Sequence, residues 1–160
     1  TGPTGPTGPG GVSTDFASIG LKYSGAGIPV LFNNNIPFPA SENPNPAAVP
    51  TNITVPSDGN IKIADTGWYQ ITFGFSTSSS AGTFALKVNG GSVPVGSSSA
   101  LINFSGGNRF MQCETVIVNI TTNPSIITVQ NILGASITLN PARSVTGYLL
   151  AYVTIIKISN

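Results

Sequence analysis

The chain has 160 residues, of which 40% are hydrophobic and only 7% charged, and its net charge is +1. Soluble domains usually carry about 25% charged residues, and here Lys22, Lys62, Lys87, Arg109, Arg143 and Lys157 stand singly, which argues against nucleic acid as a partner because phosphate binding needs clustered cations. Histidine is absent, which removes the commonest general base, a principal metal ligand and the middle member of a Ser or Cys triad.

Residues 1–11 place glycine at every third position, Gly2, Gly5, Gly8 and Gly11, with Pro3, Pro6 and Pro9 following in register. That is the collagen period, in which three polyproline-II strands wind about an axis that admits no side chain. A triple helix needs three chains, so whatever follows is expected to be a homotrimer. So few triplets do not hold three strands together unaided, and the segment reads as the end of a longer collagenous region. Thr4 and Thr7 occupy outward-pointing positions of the repeat.

Residues 12–160 have the usual size of one domain, read here as a single head. From Gly11 to about Pro50 the sequence is irregular. Short apolar pieces such as Ile28–Phe32 and Ile36–Phe38 alternate with Asn33-Asn34-Asn35 and a Pro/Asn stretch around Glu42–Pro46, and this proline density forbids helix and limits strands to edges. Strand patterning begins after Thr51. Ile53–Val55 and Asn60–Ile63 flank Pro56-Ser-Asp-Gly59, which has turn chemistry, and form a predicted hairpin. In Trp68–Phe75, Tyr69, Ile71, Phe73 and Phe75 share one face, opposite Gln70, Thr72 and Gly74. Phe84, Leu86 and Val88 repeat the pattern before the tight turn Asn89-Gly90-Gly91. Further strands are predicted at 100–104, 109–120, 125–133, 136–139 and 148–158. No helical periodicity of useful length occurs, so the expectation is an all-β, two-sheet sandwich.

Thr115–Ile120 and Tyr148–Ile156 are apolar on both faces, unlike a strand with one solvated side. A loop can shield such a strand, but beside a collagen repeat the favoured cover is another subunit. Strand parity then assigns Tyr69, Ile71, Phe73, Phe84, Leu86, Val88, Tyr148 and Leu150 to the core. Gln70, Thr72, Cys113, Thr115, Leu149, Ala151 and Val153 are assigned to the trimer interface.

The remaining chemistry is sparse. Asp15, Glu42, Asp58, Asp65 and Glu114 are isolated in sequence, without the pairing that glycosidic chemistry requires. Asp58 and Asp65 lie in adjacent turns, where a turn-forming role explains them more simply than calcium ligation. Cys113 is the sole cysteine; it forms no internal disulfide and is expected to be a buried, inert thiol. Asn52, Asn103 and Asn119 begin Asn-x-Ser/Thr sequons of a kind that so Asn-rich a chain produces by chance, with Asn119 expected inside a buried strand. Trp68 offers either sugar stacking or, more commonly at a strand start, packing. No phosphate-binding loop, dinucleotide fingerprint, cofactor or metal site is expected, and the chain reads as no enzyme. No run reaches the ~18 apolar residues of a membrane span, so this segment is not expected to insert into a bilayer.

The Gly-Pro-Thr repeat, Asp65-Thr-Gly-Trp-Tyr-Gln-Ile-Thr72, Leu86-Lys-Val-Asn-Gly90 with Val93-Pro-Val95, Thr121-Thr-Asn-Pro-Ser125 and the closing Ile155-Ile-Lys157 together resemble the BclA-like collagen-like proteins of bacterial spore surfaces. The resemblance covers most of residues 51–160; the opening forty residues of the head match poorly. It implies a TNF-like jelly-roll head, homotrimeric about the stalk axis, projecting extracellularly from the exosporium or a spore appendage, with sugar on Thr4 and Thr7. The expected role is structural and adhesive, with a host-surface or matrix receptor or a glycan as possible contact. Two other readings stay open: the receptor-binding knob of a phage tail fibre, and a lectin-like carbohydrate-binding head.

Overall fold

The computed structural model describes residues 16–39, 52–55, 59–79, 81–93, 101–105, 111–141 and 146–159. The collagen-like repeat, with Thr4 and Thr7, lies outside them, as do Asp15, Glu42, Asp58, Arg109 and Arg143. The described residues form strands and no helix: β1 (Phe16–Lys22), β2 (Ile28–Val30), β3 (Ile53–Thr54), β4 (Ile61–Ile63), β5 (Gly67–Ser76), β6 (Ala81–Val88), β7 (Gly91–Ser92), β8 (Leu101–Ser105), β9 (Met111–Ile120), β10 (Ser125–Asn131), β11 (Ile137–Leu139) and β12 (Leu149–Ser159).

Two antiparallel sheets face each other. The first has the order β1-β12-β5-β9; the second runs β3-β4-β10-β6-β7, with β8 also paired to β6; β2 and β11 form a small third ladder. The predicted hairpin is present, with Ile53 opposite Ile63. The turn after β6 has Asn89 at φ 51° and Gly90 at φ 75°, the paired positive values of a type I′ turn, whose twist matches that of the strands it joins.

Alternation along the strands fills the space between the sheets. Tyr69, Ile71, Phe73 and Phe75 of β5 and Val116, Val118 and Ile120 of β9 point inward, against Phe84 and Leu86 of β6 and Ile127 and Val129 of β10. The rings of Phe75 and Phe84 lie 4.4 Å apart between centroids, tilted by 55°, a packing that joins the two layers. One buried polar group is fully used. Asn131 donates to the carbonyls of Val30 at 2.9 Å and Ala135 at 2.8 Å, and its Oδ1 accepts from the amide of Leu133 at 3.2 Å.

Three expectations are corrected. The region before Pro50 contains β1, in which Ala17, Ile19 and Leu21 are buried; its intervening Phe16, Ser18 and Gly20 weaken the alternation, so the stretch reads as irregular. Tyr148 is no core residue but is 45% exposed, because it precedes β12 at the sandwich rim. Ala151 and Val153 are fully buried within the single chain rather than on the outer face. The reason is a register shift: Leu21 pairs with Ala151 but Lys22 pairs with Leu149, leaving Leu150 as an extra residue. A bulge of this kind places two successive side chains on one side, so Leu150 and Ala151 are both buried and every later residue of β12 is out of phase with a simple alternation.

Candidate functional site

The outward face of the β1-β12-β5-β9 sheet is built of cross-strand rows fixed by register. One row runs Phe16, Ile156, Gln70, Ile117; the next Ser18, Thr154, Thr72, Thr115; the third Gly20, Tyr152, Gly74, Cys113. Trp68 and Asn119 form a further pair beyond the first row. None of these side chains is charged. Lys157 and Glu114 belong to the inward phase of their strands, and the one described cation on the outward phase is Lys22, exposed at the end of β1 opposite Leu149.

The face is nonetheless exposed in the single chain. Ile117 is 56% and Trp68 44% exposed, and Met111 and Ile158 at the strand ends are exposed as well. Scattered exposed apolar side chains are normal, but a contiguous sheet face with one cation at its edge and several of them on it is a candidate interaction surface. In its middle the hydroxyls of Thr72 and Thr115 lie 2.8 Å apart, so these two polar groups satisfy each other and can be covered without losing their partner.

Glycine shapes the third row. A Cβ on Gly74 would stand 2.6 Å from the ring of Tyr152 and 2.8 Å from the carbonyl oxygen of Gln112, and one on Gly20 2.7 Å from Leu149. The missing side chains let Tyr152 and Leu149 lie flat across the sheet. Burial first, then a hydrogen bond with Cys113 and the charge of its thiolate, push the Tyr152 phenol up to about 12.

Of the residues assigned to the interface by parity, Gln70, Thr72, Thr115, Cys113 and Leu149 lie on this face, and Ala151 and Val153 lie behind it. Cys113 is exposed rather than buried, and Asn119, expected inside the sandwich, is exposed on the outward phase of β9. Sequence reasoning missed Ile117, Tyr152 and Phe16. Each is the register partner of a residue it did find or of that residue's neighbour, so the missing information was strand pairing. Among the assigned core residues, Tyr69, Ile71, Phe73, Phe84, Leu86 and Leu150 are buried, and Val88 is partly buried against the core.

Away from this face, Asp65 accepts from Asn52 Nδ2 at 2.7 Å and lies 3.8 Å from the ammonium of the buried Lys157, which also sits 6.0 Å from the ring centre of Tyr69. Asp65 thus balances an interior cation. Among the described residues no group of three or more His, Cys, Asp or Glu side chains converges to hold a metal ion, and no helix is long and apolar enough to cross a membrane.

Comparison with solved structures places the chain among jelly rolls of the TNF type. It is similar to the Eiger TNF from S. frugiperda, at 9% identity and a TM-score of 0.57, over 91% of this chain and 93% of that one. It is also similar to the PRD1 vertex protein P5, at 20% identity and a TM-score of 0.53, over 93% of this chain and 99% of that one. No protein-family model and no curated protein sequence matches the chain. At these identities the likeness establishes the fold, an all-β TNF-like jelly roll, and that is what the chain is.

Proposed function

We propose that this chain is a noncatalytic head that forms a homotrimer through the outward face of β1-β12-β5-β9 and caps a collagen-like stalk, as a structural and adhesive element of a bacterial spore surface. The observation that carries the reading is the sparsely charged face bearing Ile117 and Trp68, in a chain that also holds glycine at every third position of residues 2–11. The first feature supplies the surface and the second the number of chains: a partly apolar sheet face is stabilised by cover from another protein surface, and collagen strands need three chains. Spore location and stalk glycosylation at Thr4 and Thr7 follow from the resemblance of the sequence motifs.

Assembly starts with the heads. Winding three strands has a chain-closure cost that a permanent interface, on the order of 2,000 Å² or more, offsets in advance. Sedimentation equilibrium of residues 12–160 tests this: the expected species has three chain masses without the stalk, and a monomer at micromolar concentration would refute it. Immunogold labelling of native spores tests the location, and absence of label from the spore surface would remove that part of the reading while leaving the trimer intact.

A further inference from the structure

The outward face of the second sheet carries a concavity of about 330 Å³, at the small end of the range of roughly 300–1,000 Å³ usual for small-molecule sites. Its floor is formed by β10 and β6. Ile126 and Thr128 stand on the outward phase of β10, and Lys87 of β6 is the register partner of Thr128. The Asn89-Gly90 turn borders it on one side. On the other are Asn35, bridged to Gln130, and Asn60, the residue before β4.

The lining is dominated by carboxamides that other contacts hold in place. Asn89 donates to the hydroxyls of Thr122 at 3.0 Å and Ser125 at 3.2 Å and accepts from the amide of Ile126 at 2.8 Å. Gln130 Nε2 donates to the carbonyl of Asn33 at 2.8 Å, and Asn35 Nδ2 to Asn60 Oδ1 at 3.4 Å. A carboxamide presents a donor and an acceptor in one plane, which is what a vicinal pair of hydroxyls requires. Because these side chains are already tethered, little rotamer freedom remains to be lost on binding. Among the described residues at the wall, Asn35 Oδ1 is buried with no hydrogen bond, an acceptor left for a donor from outside the fold. The side chain of Ile126 supplies an apolar patch for the C–H face of a ring.

Lys87 sets the charge. Among the described residues it is the only ionisable one lining the concavity, its ammonium donates to Ser92 Oγ at 3.1 Å, and neither Asp65 nor Glu114, the described carboxylates, borders it. We propose that this concavity binds an acidic sugar, a pyranose whose hydroxyls meet the carboxamides of Asn35, Asn60 and Gln130 and whose carboxylate meets the Lys87 ammonium. The site lies on the sheet opposite the proposed trimer face, so assembly leaves it open. Only its multiplication rests on the trimer reading: three copies raise avidity for a polymer of such sugars by about 10²–10⁴-fold without any new contact.

Calorimetry of the full chain with glucuronic, galacturonic and N-acetylneuraminic acids, and with glucose and acetate, tests the proposal. At least one acidic sugar is expected to bind in the millimolar range, glucose about tenfold more weakly, and acetate not measurably. Lys87→Gln should bring the acidic sugar to the level of glucose, and Asn35→Ala should weaken both sugars several-fold, each with an unchanged circular dichroism spectrum. Amide shifts in an NMR titration, mapped to Gly90 and Thr128, read the location without a variant. Binding of none of the three acids, acetate equal to the best acid, shifts confined elsewhere, or affinity unchanged in both variants would each overturn the site. A monomeric head that keeps monosaccharide affinity but gains nothing on a polymer would instead refute the trimer.

Discussion

The two sheets turn opposite chemistry toward their surroundings. Outward from β1-β12-β5-β9 stand Ile117, Trp68, Tyr152 and a Thr72–Thr115 pair that satisfies itself; outward from β4-β10-β6 stand Lys62, Lys87, Thr128 and Gln130. Both sheets bury their inner faces in one shared core, so the difference is not about making the sandwich stable. A face with one cation at its edge and a self-satisfied threonine pair in its middle is more easily covered by protein, whereas a face with two lysines and a cluster of carboxamides favours water or a polar ligand. The assignment of assembly to one face and ligand contact to the other rests on that contrast.

The contrast breaks first at β12. Val153→Asp is expected to abolish folding, since the side chain is fully buried in the single chain and an unpaired carboxylate there costs several kcal/mol; loss of the circular dichroism signature of strands reads this directly. On the neighbouring outward phase, Ile117→Asp should leave the fold intact and dissociate the proposed trimer, at a cost of about 3–5 kcal/mol per subunit for a charge covered without a partner. Lys62→Asp on the other sheet should leave the sedimenting mass unchanged; equal behaviour of the two variants would show that the faces are not distinct. Gly74→Ala should destabilise the fold by about 1–3 kcal/mol, measured as a shift in the urea midpoint, because its Cβ meets the fixed backbone oxygen of Gln112 at 2.8 Å.

The smallest effect is titration. A tyrosine in an unfolded chain ionises near 10, and Tyr152 in the fold is pushed up to about 12, so the folded state favours the neutral phenol. Its contribution is whole below pH 10 and is lost as pH rises from 10 toward 12. Wild-type stability should therefore fall relative to Tyr152→Phe across that window and run parallel to it below; parallel curves throughout would show that the phenol is as solvated as in the unfolded chain.

Much of this was legible along the chain. Apolar alternation in Trp68–Phe75 placed Tyr69, Ile71 and Phe73 inside and Gln70 and Thr72 outside, because β5 runs its whole length without a break in phase. The Asn89-Gly90 turn was legible for a related reason, since few residue pairs adopt two successive positive φ values. The same reasoning applied to β12 holds for Leu149 and Leu150 and fails for Ala151 and Val153, because one unpaired residue shifts the phase and nothing in the residue types marks it. β1 was passed over because Ser18 and Gly20 on its outer side dilute the signal carried by Ala17, Ile19 and Leu21.

By itself the sequence determined the all-β class, the hairpin and turn positions, the sparse charge and the three-fold period of residues 1–11, since these follow from periodicity and backbone chemistry that act over a few residues. Only the tertiary structure decided which strands are neighbours, and with that which side chains share a row. The joining of Gln70 to Ile117 and of Gly74 to Cys113, and the gathering of Asn35, Asn60 and Gln130 around Lys87, depend on pairing between segments far apart in the chain. That pairing is selected by burial of the shared core and by the bulge at Leu150, and neither is written in any local stretch of residues.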